Sequence, residues 1–73
     1  MPYTTNNDLP ELVRDGLPEH AQDIYRAAFN NAYTGFAGQA ERERRAHMLA
    51  WAAVKRTYYK RGDRWFERMA AAS

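Results

Sequence analysis

The sequence contains no cysteine, few prolines and glycines, and no long apolar segment. Without cysteine, neither a disulfide nor a thiolate metal site can hold the fold together, and the composition suits a reducing compartment. The longest apolar run, Met48–Val54, has seven residues, whereas a membrane-spanning helix needs about 20. The N-terminal segment resembles no signal peptide. We therefore expect a cytoplasmic chain without a transmembrane segment, folding as a single domain over residues 1–73.

Groups that catalyse reactions are also missing. We find no nucleophile with a neighbouring base, no pair of carboxylates suited to acid–base work and no glycine-rich phosphate loop. His20, Asp23 and His47 invite a zinc hypothesis, but all would have to lie within about 2 Å of one ion. A histidine on an apolar helix side, as His47 is, is more typical of a core. We predict no enzyme activity, no metal site and no cofactor.

Charges of the two signs are unevenly distributed along the chain. Residues 1–38 hold two arginines against five carboxylates, a net −3, and residues 39–73 hold nine Arg or Lys against four carboxylates, a net +5. Together they give the overall +2. This asymmetry suits one surface for anions and another for cations, or two halves that attract each other within the monomer.

The segment His20–Phe36 organises the chain. Its apolar residues recur at steps of three, four, seven and eight, which indicates one face of an α-helix. We predict a helix from Pro18 to about Tyr33–Thr34, with Gly35 as a left-handed cap. The core residues expected from this helix are Ile24, Tyr25, Ala28, Phe29, Ala32 and Tyr33.

Two further helices are expected on either side of this segment. A short one opens at Leu9-Pro10 and ends at Gly16, with Leu12 on its apolar side. A long one covers about residues 39–60, and the short connection before it favours an antiparallel pair. The core residues expected from the long helix are His47, Ala50, Trp51, Val54 and Tyr58.

The two ends of the chain contain residues that favour β-structure. Tyr3–Thr5 needs a partner strand, and residues 64–67 could provide it, with Trp65 folding over the core. Alternatively, Asp63 caps a last helical turn that runs into the alanine tail. We favour the strand, with residues 68–73 as a frayed tail. The predicted fold is thus mainly α, with a minimal two-stranded sheet joining the N- and C-terminal segments.

The segments LPELVRDGLPEHAQDIYRAAFNNAY and RAHMLAWAAVKRTYYKRGDRW resemble the ChaB family of cation transport regulators. The resemblance covers about residues 2–65. It implies three helices with one minor sheet, and regulation of a sodium/calcium–proton antiporter, with no catalytic or ion-binding residues. Viral relatives imply nucleic-acid binding as a second function. The chain departs from the family pattern in its arginine-rich segment Glu41–Arg45 and in its own C-terminal tail.

A basic row is the main candidate for a binding surface. At 100° per residue, its helical members lie on the side of the third helix opposite to the apolar face. Tyr59 and Phe66 could stack on bases for about 1–3 kcal/mol each. The alternative is a solvated outer face. The residues of this candidate anion or nucleic-acid surface are Arg42, Arg45, Arg56, Lys60, Arg61, Arg64 and Arg68.

An acidic set in the first half is the second candidate. These carboxylates could dock a basic loop of a partner protein, although carboxylates spaced along helices are usually just solvated. The set comprises Asp8, Glu11, Asp15, Glu19 and Asp23.

Three functional hypotheses follow. The first is a non-enzymatic regulatory protein of the ChaB kind that docks onto a partner protein such as a cation–proton antiporter. The second is sequence-nonspecific nucleic-acid binding through the basic face of the third helix. The third is a structural oligomerisation module. The sequence leaves the oligomeric state open.

Overall fold

The computed structural model describes residues 3–68, and within them the chain is mainly α-helical. A short 3₁₀ turn, Asn6–Asp8, precedes the regular elements. The helices are α1 (Glu11–Gly16), α2 (Glu19–Gly35) and α3 (Arg42–Thr57). The strands are β1 (Tyr58–Arg61) and β2 (Arg64–Glu67). The predicted fold class, three helices with a two-stranded sheet, is confirmed.

The core lies between α2 and α3, as their apolar periodicity predicted. Ala21, Tyr25 and Phe29 from α2 meet Ala46, Ala50 and Val54 from α3, and all six are buried. Tyr58 is buried beside them, at the start of β1. The other predicted core residues are partly buried and lie around this centre: Ile24, Ala28, Ala32, Tyr33, His47, Trp51 and Trp65.

Helix α1 covers one end of the core. Leu9, Val13 and Leu17 are buried, because they fall on one side of this short helix and its flanks. Leu12 was expected on the same side, but this prediction is wrong because the residue is 85% exposed. Successive helical residues are about 100° apart, so burying Val13 turns its neighbour Leu12 outward.

The turn between α2 and α3 is longer than predicted. Gly35 belongs to α2, and the left-handed residues are Gly38, with φ of 80°, and Glu41, with φ of 56°. The left-handed cap predicted at Gly35 is therefore wrong. Helix α3 begins at Arg42 and ends at Thr57, several residues inside the predicted limits. Consequently Lys60 lies on a strand and not on the helix.

The sheet is confirmed, but its predicted joining of the N- and C-terminal segments is wrong. β2 pairs antiparallel with β1, so that Tyr59 lies opposite Phe66 and Lys60 opposite Trp65. Gly62 and Asp63 form the two-residue loop, and Gly62 has a φ of 66°, as a type II′ turn requires of its first residue. Strand β1 provides the hydrogen-bonding partners for the backbone of β2. Because the connecting loop is short, the entropy lost on closing it is small.

Residues 3–8, the N-terminal arm, lie across α2 without forming a strand. The Tyr3 N–H donates to Asn30 Oδ1, and Asn30 Nδ2 donates to the Tyr3 carbonyl, both at 2.9 Å. The Tyr3 ring packs on Phe29 with centroids 4.7 Å apart. The side chain of Asn30 thus provides the hydrogen bonds that a partner strand was expected to provide.

The chain leaves β2 towards the end of α3. The Arg68 N–H donates to the Thr57 carbonyl at 2.7 Å, and Arg68 Nε donates to the Lys55 carbonyl at 3.0 Å. Arg68 is therefore held in place, in contrast to the predicted fraying, and the rest of that predicted tail, residues 69–73, lies outside the described residues. Within residues 3–68, no helix combines the length and apolarity needed to cross a membrane.

Candidate functional site

The structure divides the predicted basic row between α3 and the hairpin formed by β1 and β2. Arg45 and Arg56 are exposed on α3. Lys60, Arg61 and Arg64 are exposed on the hairpin. The row is therefore not one continuous helical stripe, because α3 ends before Lys60.

Arg42 does not belong to this exposed surface. It is partly buried, its Nε donates to the Tyr33 carbonyl at 2.6 Å, and its guanidinium carbon lies 3.6 Å from the centroid of the Tyr33 ring. Tyr33 is in the last turn of α2, where carbonyls lack helical partners. Arg42 thus caps α2 from the start of α3, and it is set apart from the exposed members of the predicted basic row.

The outer face of the hairpin brings together aromatic and basic side chains. Strand alternation and the pairing register place Tyr59, Arg61, Arg64 and Phe66 on one face. The Tyr59 and Phe66 rings have centroids 5.8 Å apart, and Phe66 is 42% exposed. The guanidinium carbon of Arg68 lies 5.7 Å from the Tyr59 centroid. This hairpin face is a compact aromatic pair with cations on its border.

An acidic surface lies on α1 and the start of α2. Glu11, Asp15 and Glu19 are exposed, and none makes an ion pair among residues 3–68. Exposed Leu12 follows Glu11 in sequence and lies about one helical turn before Asp15 on α1. We call Glu11, Leu12, Asp15 and Glu19 the acidic ledge.

The other two residues of the predicted acidic set serve the fold. Asp8 Oδ2 accepts from the N–H of Thr5 at 3.1 Å and from its hydroxyl. Asp23 Oδ1 accepts from Asn6 Nδ2 at 2.7 Å and lies 3.8 Å from Arg26 Nη2. Asp8 therefore closes a turn within the N-terminal arm, and Asp23 holds the arm on α2, which reduces the candidate docking set to the acidic ledge.

The two histidines are bonded to different tyrosines. The Nδ1 atom of His47 is hydrogen-bonded to the Tyr25 hydroxyl, and its Nε2 lies 3.8 Å from Glu43. The Nδ1 atom of His20 lies 3.2 Å from the Tyr58 hydroxyl. Burial lowers the pKa of His47 below its usual 6.5, and the nearby charge of Glu43 opposes this effect. Burial has the opposite effect on an acid that becomes negatively charged: it raises the pKa of Tyr25, so the Tyr25 hydroxyl stays protonated.

The surfaces described above can bind charged or aromatic partners. Sequence analysis had named the two rings and the basic residues of the hairpin face, but it had not placed them together. It missed Leu12 as a surface residue, although the angular separation of Leu12 from Val13 indicated it. The hairpin itself was signalled by two aromatic segments flanking Gly62-Asp63.

Comparison with known proteins connects this fold to one family. The family model described as ChaB matches residues 9–68. Proteins of Escherichia coli (strain K12) and Shigella flexneri, both named "Putative cation transport regulator ChaB", are 48% identical over 75 residues, covering 93% of this chain and 99% of theirs. A solution structure titled "NMR solution structure of the putative cation transport regulator ChaB" matches with a TM-score of 0.82 and 46% identity, over 92% of this chain and 99% of that one.

Proposed function

The chain belongs to the ChaB family, and from this membership we propose that it regulates cation transport by binding a membrane transporter of the sodium/calcium–proton antiporter kind. The names of its relatives support a regulatory role. In this proposal the protein acts from the cytoplasm and catalyses no reaction. It changes the activity of its partner by binding alone.

The acidic ledge is the observation that carries this proposal. Two of its carboxylates, Glu11 and Asp15, share helix α1 with Leu12, and Leu12 is the most exposed of the large apolar side chains in residues 3–68. A basic loop of a transporter with one apolar residue complements this surface. Exposed ion pairs contribute only about 0.2–1 kcal/mol each, whereas burial of a leucine contributes about 1.5–3 kcal/mol. The leucine therefore provides most of the affinity, and the carboxylates provide orientation and a faster encounter.

Membrane vesicles that contain a sodium/calcium–proton antiporter test this function. We expect the purified protein to bind them and to change the rate of calcium–proton exchange. The Glu11→Gln, Leu12→Ser, Asp15→Asn triple variant should lose both effects while keeping its helical circular dichroism. The matched control, Glu67→Gln, changes an exposed carboxylate on β2 and should behave as wild type. Equal binding to vesicles without the antiporter would contradict the proposal.

We propose nucleic-acid binding as a second candidate because of the hairpin face. Two neighbouring rings bordered by Arg61 and Arg64 resemble the stacking platforms that bind single strands without sequence preference. The exposed Arg45 and Arg56 on α3 could contact further phosphates. Each phosphate contact should add about −0.7 to the salt slope with single strands.

Gel retardation with single-stranded and duplex DNA at two salt concentrations tests this second function. The Tyr59→Leu, Phe66→Leu variant keeps apolar volume but removes both rings, so it should weaken single-strand binding more than duplex binding. Arg45→Glu with Arg56→Glu should abolish retardation and leave helicity intact. Retardation unchanged by both variants would show that neither surface binds DNA.

A further inference from the structure

We propose that a groove beside the turn between α2 and α3 binds an acidic amphipathic helix of a partner protein. This α2–α3 groove is an open depression of about 440 Å³ and shares no lining residue with the acidic ledge or the hairpin face. It accepts a partner of the opposite charge to that which suits the acidic ledge, so it does not depend on transporter binding there, and it shares only Arg45 with the nucleic-acid candidate. Its lining residues are Phe36, Glu41, Arg44, Arg45, Met48 and Leu49.

Apolar side chains form the floor of the groove. Met48 is 61% exposed and Leu49 is 48% exposed, and they lie on the side of α3 that points away from the core. Phe36 follows the end of α2, is partly buried and lines the same groove. Methionine adapts to differently shaped apolar partners. A floor of this kind, exposed in a chain of this size, indicates a surface that is covered by a partner.

Arginines form the rim. Arg44 pairs with Glu41, but both side chains are largely exposed, so this pair is easily exchanged. The guanidinium carbon of Arg45 lies 5.9 Å from the Phe36 centroid, and its Nη1 lies 3.5 Å from Gln39 Oε1. Carboxylates of a partner can therefore form bidentate pairs with both guanidinium groups.

The exposed charges of α3 disfavour a second copy placed face to face on the groove. Lys55 and Arg56 are exposed further along the helix. An antiparallel copy would bring them towards Arg44 and Arg45, and like charges across an interface are repelled. The acidic ledge of a second copy has suitable charges, but α1 has six residues and one exposed leucine, too few to cover the floor.

A lipid surface also fits less well than a helix. Helices that lie on membranes present a large apolar face along their length. On α3 the outward apolar residues are only Met48, Leu49 and Ala52, and two of them line a concavity. A partner helix fits this shape when its apolar residues are spaced at i, i+3, i+4 and i+7 and glutamates flank them.

Fluorescence anisotropy with a labelled synthetic helix of leucine, alanine and glutamate in this spacing tests the proposal. We expect the full chain to bind it, and both Arg44→Glu with Arg45→Glu and Met48→Ser with Leu49→Ser to weaken binding by about tenfold or more. The matched control, Lys55→Gln with Arg56→Gln, alters the same helix outside the groove and should change affinity by less than about threefold. A peptide with lysines in place of the glutamates should not bind.

Amide chemical shifts of the wild-type chain provide a test that needs no variant. Addition of the acidic peptide should shift the amide signals of Phe36, Met48 and Leu49, and not those of β1 and β2. Absence of binding, or shifts confined to other residues, would overturn the proposal. Binding to phosphatidylserine vesicles that is lost in both groove variants, with no peptide binding, would assign the surface to membranes. Sedimentation showing self-association that Leu12→Ser abolishes would assign it to a second copy.

Discussion

At the scale of single residues, His47 links the core to its surface. One ring nitrogen is bonded to the buried Tyr25, and the other points to the exposed Glu43. The ring also packs against Phe29, with centroids 4.6 Å apart. Because these contacts remove water from the imidazole, the folded protein favours its neutral form.

The stability of the protein should therefore fall on acidification. Burial lowers the pKa of His47 in the folded state below the ordinary 6.5, so the unfolded chain binds the additional proton between these two values. The free energy of unfolding then decreases as the pH falls from 6.5 through the lowered pKa. Urea unfolding at pH 7.5 and at pH 5 measures this effect.

The His47→Gln variant provides the comparison for this prediction. Glutamine does not titrate, so the pH dependence of its unfolding free energy should be smaller than that of the wild type. In Glu43→Gln, loss of the opposing charge should lower the pKa of His47 further and steepen the dependence. An identical pH dependence in wild type and His47→Gln would contradict the assignment.

At the scale of elements, the glycine of the hairpin loop and the glycine at the end of α2 have different backbone conformations. Gly62 begins the loop of the hairpin and has a positive φ, whereas Gly35 has helical geometry at the end of α2. A Cβ atom at either position would meet no atom within 4 Å. Substitution by alanine therefore tests backbone conformation alone.

We expect Gly62→Ala to lower the free energy of unfolding by about 1–2 kcal/mol, the cost of a left-handed conformation for a residue with a side chain. Gly35→Ala should be neutral or stabilising by up to about 1 kcal/mol, because alanine favours helix. Denaturant unfolding of both variants distinguishes the two positions. A larger loss for Gly35→Ala would mean that Gly35 is the left-handed cap after all.

At the scale of the whole molecule, the N-terminal arm closes the core over α2. Tyr3 lies 27 residues from Asn30 in sequence, yet the Tyr3 backbone and the Asn30 side chain share a pair of hydrogen bonds. Arg26 reinforces this contact, since its Nε donates to Asn6 Oδ1 at 2.7 Å. The arm therefore covers Phe29 without any strand pairing.

Asn30→Ala should release this arm. Two partly buried hydrogen bonds are lost, and we expect the free energy of unfolding to fall by about 1–3 kcal/mol. Hydrogen exchange of the Tyr3 amide should accelerate, while amides in the middle of α3 stay protected. Asn31→Ala is the matched control, since Asn31 is the exposed neighbour on the same helix. Equal effects of the two substitutions would mean that Asn30 does not hold the arm.

Much of the fold was predictable because its signals are local. The spacing of Tyr25, Phe29 and their neighbours defined α2 and its buried face, and that of Ala50 and Val54 did the same for α3. The candidate surfaces were predicted less well. Sequence identified Tyr59, Phe66 and the arginines as separate features, but strand pairing brings two rings and two arginines to one face.

The sequence by itself determined the three helices, the inward faces of the two long ones and the family, because periodicity and motif order are properties of neighbouring residues. Tertiary structure decided that Arg42 is bound to Tyr33, that Asp23 holds the arm, that Asn30 binds Tyr3, and that Met48 and Leu49 line a groove. These outcomes depend on which distant groups meet and how water is excluded between them. No single segment of the chain contains that information.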